Sequence, residues 1–230
     1  ETFFLSLDAG YDEVGGDEIH KFLLAVDNKT GRKAFRLMFT PVRVVCQNTL
    51  MAGLKAATVT SVLEHRQGVQ EQVALRVDAM KRIQAGMAET MAAFRQMAQT
   101  AIGDTVAADI IAVAYPLPPK PKAVQFVEDV LDDMQFKTYL VSIDKAGQSK
   151  ETWEYFIKRQ QGFREAATGL YNRFNDESKL ARTAWGAYNA VVETEDYRNG
   201  HGESADADAL FGGRAKAKVA AFNAAMEYVH

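Results

Sequence analysis

Apolar residues recur at three- and four-residue spacing along one stretch of this chain: Val73, Val77, Met80, Met87, Met91, Phe94, Ala98 and Ala101. Only Gln84 breaks the series, and Ile83 beside it keeps the stripe nearly continuous. That period predicts an amphipathic helix of about nine turns, roughly 45 Å long, ending at Gly103. A helix so long exceeds what one small sheet covers, so it crosses the molecule or packs on a neighbour's copy. The methionines fill gaps and specify no chemistry, which makes core packing the preferred reading of the stripe.

Before this helix the pattern is that of strands. Thr2–Leu7 reads as one, and Ile19–Val26 and Lys33–Cys46 read as a β-hairpin joined by the five-residue loop Asp27–Gly31. Pro41 has no amide hydrogen and suggests a bulge or an edge. A bulge there would bring Arg36 and Arg43, seven residues apart, to one side of the sheet. Asn48 or Thr49 is placed to cap a short helix from Leu50 to Ala57, and Val59–His65 is a further candidate strand. Thr105–Tyr115 reads as helix or strand. Four of the five prolines then fall in Pro116–Pro121, a stiff extended run and the one candidate boundary. Helices are expected at Val124–Met134, Ser149–Phe174, Ser178–Asp196 and Leu210–Tyr228, with Gly200–Asp208 a polar loop. The fold class is α+β: a small antiparallel sheet with a β-hairpin, a long central helix and a mostly helical C-terminal half. The expected division is 1–115 (sheet, long helix and basic face), 116–122 (proline linker) and 123–230 (helical subdomain packed on the first).

Charge narrows the function. The chain of 230 residues has a formal net charge of -3, yet residues 20–100 hold twelve Lys and Arg against five acids, a local balance of +7. A basic segment inside an acidic chain is one footprint of a polyanion-binding face. Complementary charges within the fold or between subunits are the plainer reading. The single cysteine, Cys46, excludes an intrachain disulfide framework and a multi-cysteine zinc site, and its apolar strand suits a buried thiol. No apolar run approaches the ~20 residues that span a bilayer, and no signal peptide is visible. The chain opens on Glu1, as a trimmed piece of a longer protein would.

No catalytic constellation stands out. His20, His65, His201 and His230 lack ligand-like spacing, and HExxH, GxSxG, Walker and GxGxxG patterns are absent. Gly212-Gly213 marks a turn into a Lys- and Ala-rich helix. The acids Asp132-Asp133 and Glu193/Glu195/Asp196 read as solvated helix ends rather than a cation site. In Ser149–Phe174, Trp153, Phe156, Phe163, Tyr171 and Phe174 lie beside Lys158, Arg159, Arg164 and Arg173. Aromatics beside arginines can stack bases, but at helical spacing they are more often core. Gly186 on the Trp185–Asn189 helix implies close approach of another backbone, with Asn189 satisfying a buried backbone group.

Three segments occur in order that together resemble a known family: Thr40–Leu50 (TPVRVVCQNTL), Thr183–Val191 (TAWGAYNAV) followed by Glu193 and Asp196, and Leu210–Gly213 leading into the last helix. They resemble the phage/plasmid-related family carrying the domain of unknown function nine-three-two. The likeness covers essentially the whole chain, which corresponds to the C-terminal two-thirds or so of family members. One departure is Asp196-Tyr197, where the family typically has Asp-His. A weaker, architectural likeness is to Rad52-type single-strand annealing proteins. The resemblance implies a protein of phages and plasmids, encoded near replication and recombination functions, without transferable catalytic residues. With the basic segment it gives the expected function: sequence-independent single-stranded DNA binding or annealing in the bacterial cytoplasm, by a homo-oligomer (ring or filament). The alternative is a non-enzymatic protein-interaction module of a mobile element. No enzyme activity, metal or cofactor is expected. The expected DNA-binding residues are Lys21, Arg32, Lys33, Arg36, Arg43, Asn48, Lys81 and Arg82. In Thr40–Leu50, Arg43 and Asn48 with free helix-start amides would grip a phosphate; a cap and an ion pair would be the structural alternative.

Overall fold

A computed structural model describes residues 2–28, 35–43, 48–49, 60–63, 69–120, 139–177, 180–197 and 213–229. Strands β1 (Thr2–Val14), β2 (Asp17–Asn28), β3 (Phe35–Arg43), β4 (Asn48–Thr49) and β5 (Thr60–Leu63) form one antiparallel sheet. Its order is β1-β2-β3-β4, with β5 also pairing β3. The helices are α1 (Val69–Gln99), α2 (Asp104–Ala114), α3 (Tyr139–Glu177), α4 (Ala184–Asp196) and α5 (Gly213–Met226). The α+β class, the small sheet with its hairpin and the long helix all agree with the sequence. No helix among the described residues is long and apolar enough to cross a membrane.

The first strand runs past Leu7 to Val14 and turns directly into β2. Gly15 and Gly16 make that turn with φ of 60° and 88°. Two successive positive φ values are what a two-residue type I′ hairpin needs, and glycine adopts them without strain. The pairing slips once between Asp8 and Tyr11, where Gly10 has φ 84° and its N–H donates to Asp8 Oδ1 at 2.8 Å. Asp8 thereby closes a local turn that holds the bulge.

The expected bulge at Pro41 does not form. Pairing with β2 runs unbroken from Ile19↔Arg43 through Lys21↔Pro41 to Val26↔Arg36. On its other side β3 pairs with Asn48–Thr49 at residues 42–43 and with β5 at residues 35–38. Pro41 falls between those two pairings, on a stretch of β3 whose described partner is β2 alone. Positions 36 and 43, an odd number apart on a regular strand, therefore take opposite faces. Asn48 and Thr49 are strand rather than helix cap. The expected helices Leu50–Ala57 and Val124–Met134, the loop Gly200–Asp208 and Cys46 lie outside the described residues.

Contacts divide the chain into two compact units, one of Glu1–Ala114 with Ala167–His230 and one of Tyr115–Ala166. In the first, α1 covers one face of the sheet, which contributes the buried Val14, Ile19, Leu23 and Phe39. The helix is 31 residues long, about 46 Å, close to the length read from its period. Its buried face is displaced from the expected stripe. Ile83, Thr90, Met91, Ala93, Phe94 and Met97 are buried, whereas Met80 is 39% exposed and Ala101 lies beyond the helix end. Evenly spaced methionines mark a stripe that drifts around a 3.6-residue helix, so it meets the core over only part of its length.

The core centres on Phe94 of α1, Trp185 and Tyr188 of α4, and Phe222 of α5. Phe94 lies 4.7 Å from Trp185 and 6.0 Å from Phe222 by ring centroid, and Phe222 meets both Phe94 and Tyr188 edge-on at 76°. Such edge-to-face pairs add to plain area burial. The linkers 100–102 and 182–184 run alongside each other: Ala184 N–H donates to Thr100 O at 3.0 Å, and Ile102 N–H to Arg182 O at 2.8 Å. Thr183 caps α4 by accepting the Gly186 N–H at 3.1 Å.

In the second unit the proline run meets the middle of α3. Tyr115 packs 5.5 Å from Phe163, Arg164 Nε donates to Tyr115 O at 2.8 Å, and Trp153 Nε1 donates to Pro118 O at 3.1 Å. Proline-rich backbone, lacking internal hydrogen bonds, offers its carbonyls to such donors.

Gly186 bears out its sequence reading. A Cβ there would stand 2.5 Å from the carbonyl oxygen of Leu180, backbone that cannot step aside. Helix propensity alone would favour Ala by about 1 kcal/mol. Gly186→Ala is expected instead to destabilise the fold by about 1–3 kcal/mol, the usual cost of overpacking. Urea denaturation checks this: the midpoint should fall at unchanged slope, and a wild-type midpoint would contradict the packing.

Candidate functional site

Strand alternation sorts the expected DNA-binding residues by face. Lys21, Arg43 and Asn48 are linked in register through the pairs Lys21↔Pro41, Ile19↔Arg43 and Arg43↔Asn48, and Lys21 shares the buried side of β2 with Ile19 and Leu23. Arg36 pairs with Val26 further along the same ladder. Lys21 Nζ donates to Asp12 Oδ2 at 3.2 Å, and Asp12 Oδ1 also receives Arg95 at 3.3 Å, so this lysine is engaged within the fold. Lys81 and Arg82 stand exposed on α1, with Arg82 3.3 Å from Asp78. Arg32 and Lys33 lie outside the described residues. Among the described residues, the strand register sets Arg43 opposite Asn48, while Lys81 and Arg82 lie on α1.

The open face of the sheet carries what the sequence reading missed. Tyr11 on β1 stacks on His20 of β2 (centroids 5.9 Å, planes 25° apart), and His20 stacks on Phe22 (6.2 Å, 26°). Tyr11 is 64% exposed and His20 and Phe22 are half-buried. The row exists because Tyr11 pairs directly with His20 and Phe22 follows two residues on, on the same side of the pleat. His20 and Phe22 alternate visibly in the sequence. Tyr11 joins them only once the Gly-Gly turn and the bulge set the register. Three acids share this face: Asp8 accepts the Gly10 N–H, Glu18 is met by His20 Nε2 at 2.7 Å, and Glu13, paired with Glu18, is exposed.

A second cluster is interior. The acids after the Trp185–Asn189 segment are not solvated helix ends: Glu193 and Glu195 are buried. Arg173 Nη2 reaches Glu193 Oε1 at 2.6 Å, and the fully buried Lys218 of α5 donates to Asp196. Arg214 is buried beside them. Burial lowers the Lys218 pKa from its ordinary value, against the opposing pull of Asp196 and Glu195. Burial also raises the Tyr188 phenol well above its usual value, and the Asp196 carboxylate adds to that. Asn189 donates to Trp185 O at 2.8 Å, the buried backbone group expected of it. No spacing rule could pair α4 with α5, because their registration depends on residues far apart in sequence. Ion pairs so enclosed are costly to break and fix how helices register.

Lys218→Met should destabilise the fold by about 3 kcal/mol at neutral pH, since it leaves buried carboxylates without their cation. The pH dependence has a definite sign. A lysine whose folded pKa lies below its unfolded value of 10.5 binds fewer protons in the folded state. Its contribution therefore rises with pH from the lowered folded pKa up to 10.5 and is lost as pH falls through that folded pKa. Denaturant midpoints of wild type should gain on those of the variant across that window, and parallel profiles would rule the linkage out.

No curated protein and no solved structure matches this chain. A family model, Domain of unknown function (DUF932), matches residues 3–210. That span takes in the sheet, the long helix and the Trp185–Asp196 helix that closes the core, and by it this chain belongs to the DUF932 family.

Proposed function

We propose that this chain binds unpaired nucleic acid, single-stranded DNA foremost, without sequence preference, on the open face of the β1–β2 hairpin. The observation that carries the reading is the stacked row Tyr11–His20–Phe22, whose outermost ring is largely exposed although it gains nothing there from core packing. A base has an aromatic face whatever its sequence, so a ring on an open sheet is a sequence-tolerant stacking platform. Arg32, Lys33 and Arg36, which lie between β2 and the end of β3 in sequence, would supply cations for the backbone. The excess of basic residues between positions 20 and 100 supports the same reading. In a mobile element of a bacterial host, such a protein would act in annealing during recombination or replication. Annealing gains from many linked weak sites, and we infer a homo-oligomer, ring or filament, as the working form.

Tyr11→Ala should weaken binding of a single-stranded oligonucleotide about fivefold or more, the range of one lost base stack. Fluorescence anisotropy at two salt concentrations measures it: affinity falls while the salt slope, which counts phosphate contacts, stays nearly constant. Unchanged affinity in the folded variant would remove the hairpin reading. Light scattering at micromolar concentration tests assembly, where the expected species exceeds 25.4 kDa and grows with added single-stranded DNA. A sharp monomer under all conditions, with specific capture of a protein partner and no DNA affinity, would favour a protein-interaction module.

A further inference from the structure

We infer a second strand-binding surface on α3, within the unit Tyr115–Ala166, made by Tyr155, Phe156, Lys158 and Arg159. It rests on the reading that this chain takes an unpaired nucleic-acid strand, and it adds a contact that the hairpin face does not supply. Tyr155 is 62% and Phe156 43% exposed, and the two rings meet edge-on with centroids 5.5 Å apart. Large aromatic side chains on one stretch of helix normally go to the core. Here Trp153 and Phe163 do the packing against the proline segment, and the Tyr155–Phe156 pair is left outside it.

The charges around the rings are arranged for an anion. Side chains three and four positions apart are neighbours on a helix. Lys158 and Arg159 therefore lie one turn beyond Tyr155, and Arg159 lies beside Phe156 as well. Both cations are exposed, and neither makes an ion pair with a described residue. The Arg159 guanidinium stands 5.7 Å from the centre of the Phe163 ring, which holds it in place without neutralising it. The acids Glu151 and Glu154 lie on the N-terminal side of the rings, and Lys150 faces Glu154 at 3.9 Å. Glu154, four positions before Lys158, shares that neighbourhood and is itself met by Lys150. Exposed rings followed by cations that form no ion pair with a described residue match the two halves of a nucleotide, a base that stacks and a phosphate that needs positive charge. A hydrophobic protein partner would be served by the rings and would gain nothing from two exposed cations beside them.

The test uses the full chain and a thirty-nucleotide thymidine oligomer carrying photoreactive 4-thiothymidine. After irradiation the crosslinked peptides are mapped, and Tyr155→Ala/Phe156→Ala and Lys158→Glu are compared with wild type by anisotropy. Because these side chains are exposed, both variants should fold as wild type does, which circular dichroism verifies. The inference expects adducts on the peptide bearing Tyr155 and Phe156 and an affinity loss of about fivefold or more in the double variant. Adducts confined to the hairpin, with unchanged affinity in both variants, would overturn it and leave the hairpin reading standing. Adducts on α3 and none on the hairpin would uphold it and refute the hairpin assignment. No adduct and no binding would refute both. Loss of self-association in the double variant with DNA binding intact would assign the patch to a second copy of the chain, and so overturn the proposal.

Discussion

The fold of the larger unit turns on how Trp185 is held. Its ring lies against Phe94 of the long helix, and its indole N–H donates to Asp17 Oδ2 at 3.2 Å in a buried setting. Asp17 is the first residue of β2, directly after the Gly-Gly turn. One side chain on α4 thus fixes the tip of the hairpin against the helical core. The same tip approaches α1 so closely that a Cβ on Gly15 would come within 3.1 Å of Ala98 Cβ. Buried, a polar pair of this kind is costly to leave half made, which gives the contact its selectivity.

From that anchor the remaining constraints follow in sequence. With Trp185 inward, Tyr188 and Val192 are buried with it on α4, while Glu193 meets Arg173 of α3 and Asp196 meets Lys218 of α5. Those carboxylates lose water, and Arg173 and Lys218 are the cations that replace it. The small residue at Gly186 lets the α3–α4 connection cross at backbone distance, so the Thr183 cap and the Trp185 anchor are set within one turn of each other. The strength of the second motif in the sequence is therefore the strength of a packing solution. It carries position and burial for the helical core, and the exposed chemistry lies elsewhere.

The surface elements are freed by the same arrangement. Among the described residues α1 takes one face of the sheet, and the aromatic row stands on the other. The slip at Gly10 is what allows Tyr11 to pair with His20, since a regular β1 would bring the neighbouring residue there instead and turn the tyrosine to the covered side. A single glycine and the aspartate that caps its turn thus govern whether the proposed strand-binding face has its exposed ring.

By itself the sequence determined the elements whose signal is local. The apolar period gave the long helix to within a turn or so, the runs flanking Asp27–Gly31 gave the β2–β3 hairpin, and Gly186 announced a close backbone approach. The Gly-Gly turn after Val14 was equally local but lay between short polar stretches that masked the continuing strand. Tertiary structure alone decided which charges are buried and which faces are open. The solvated reading of Glu193 and Glu195 failed because helix position says where a side chain points and nothing of what arrives there; α3 and α5 arrive from elsewhere in the chain. The expected grouping of Arg36 with Arg43 failed for a related reason. A proline disrupts a ladder only where its N–H has a partner to lose, and that depends on where β4 and β5 dock along β3.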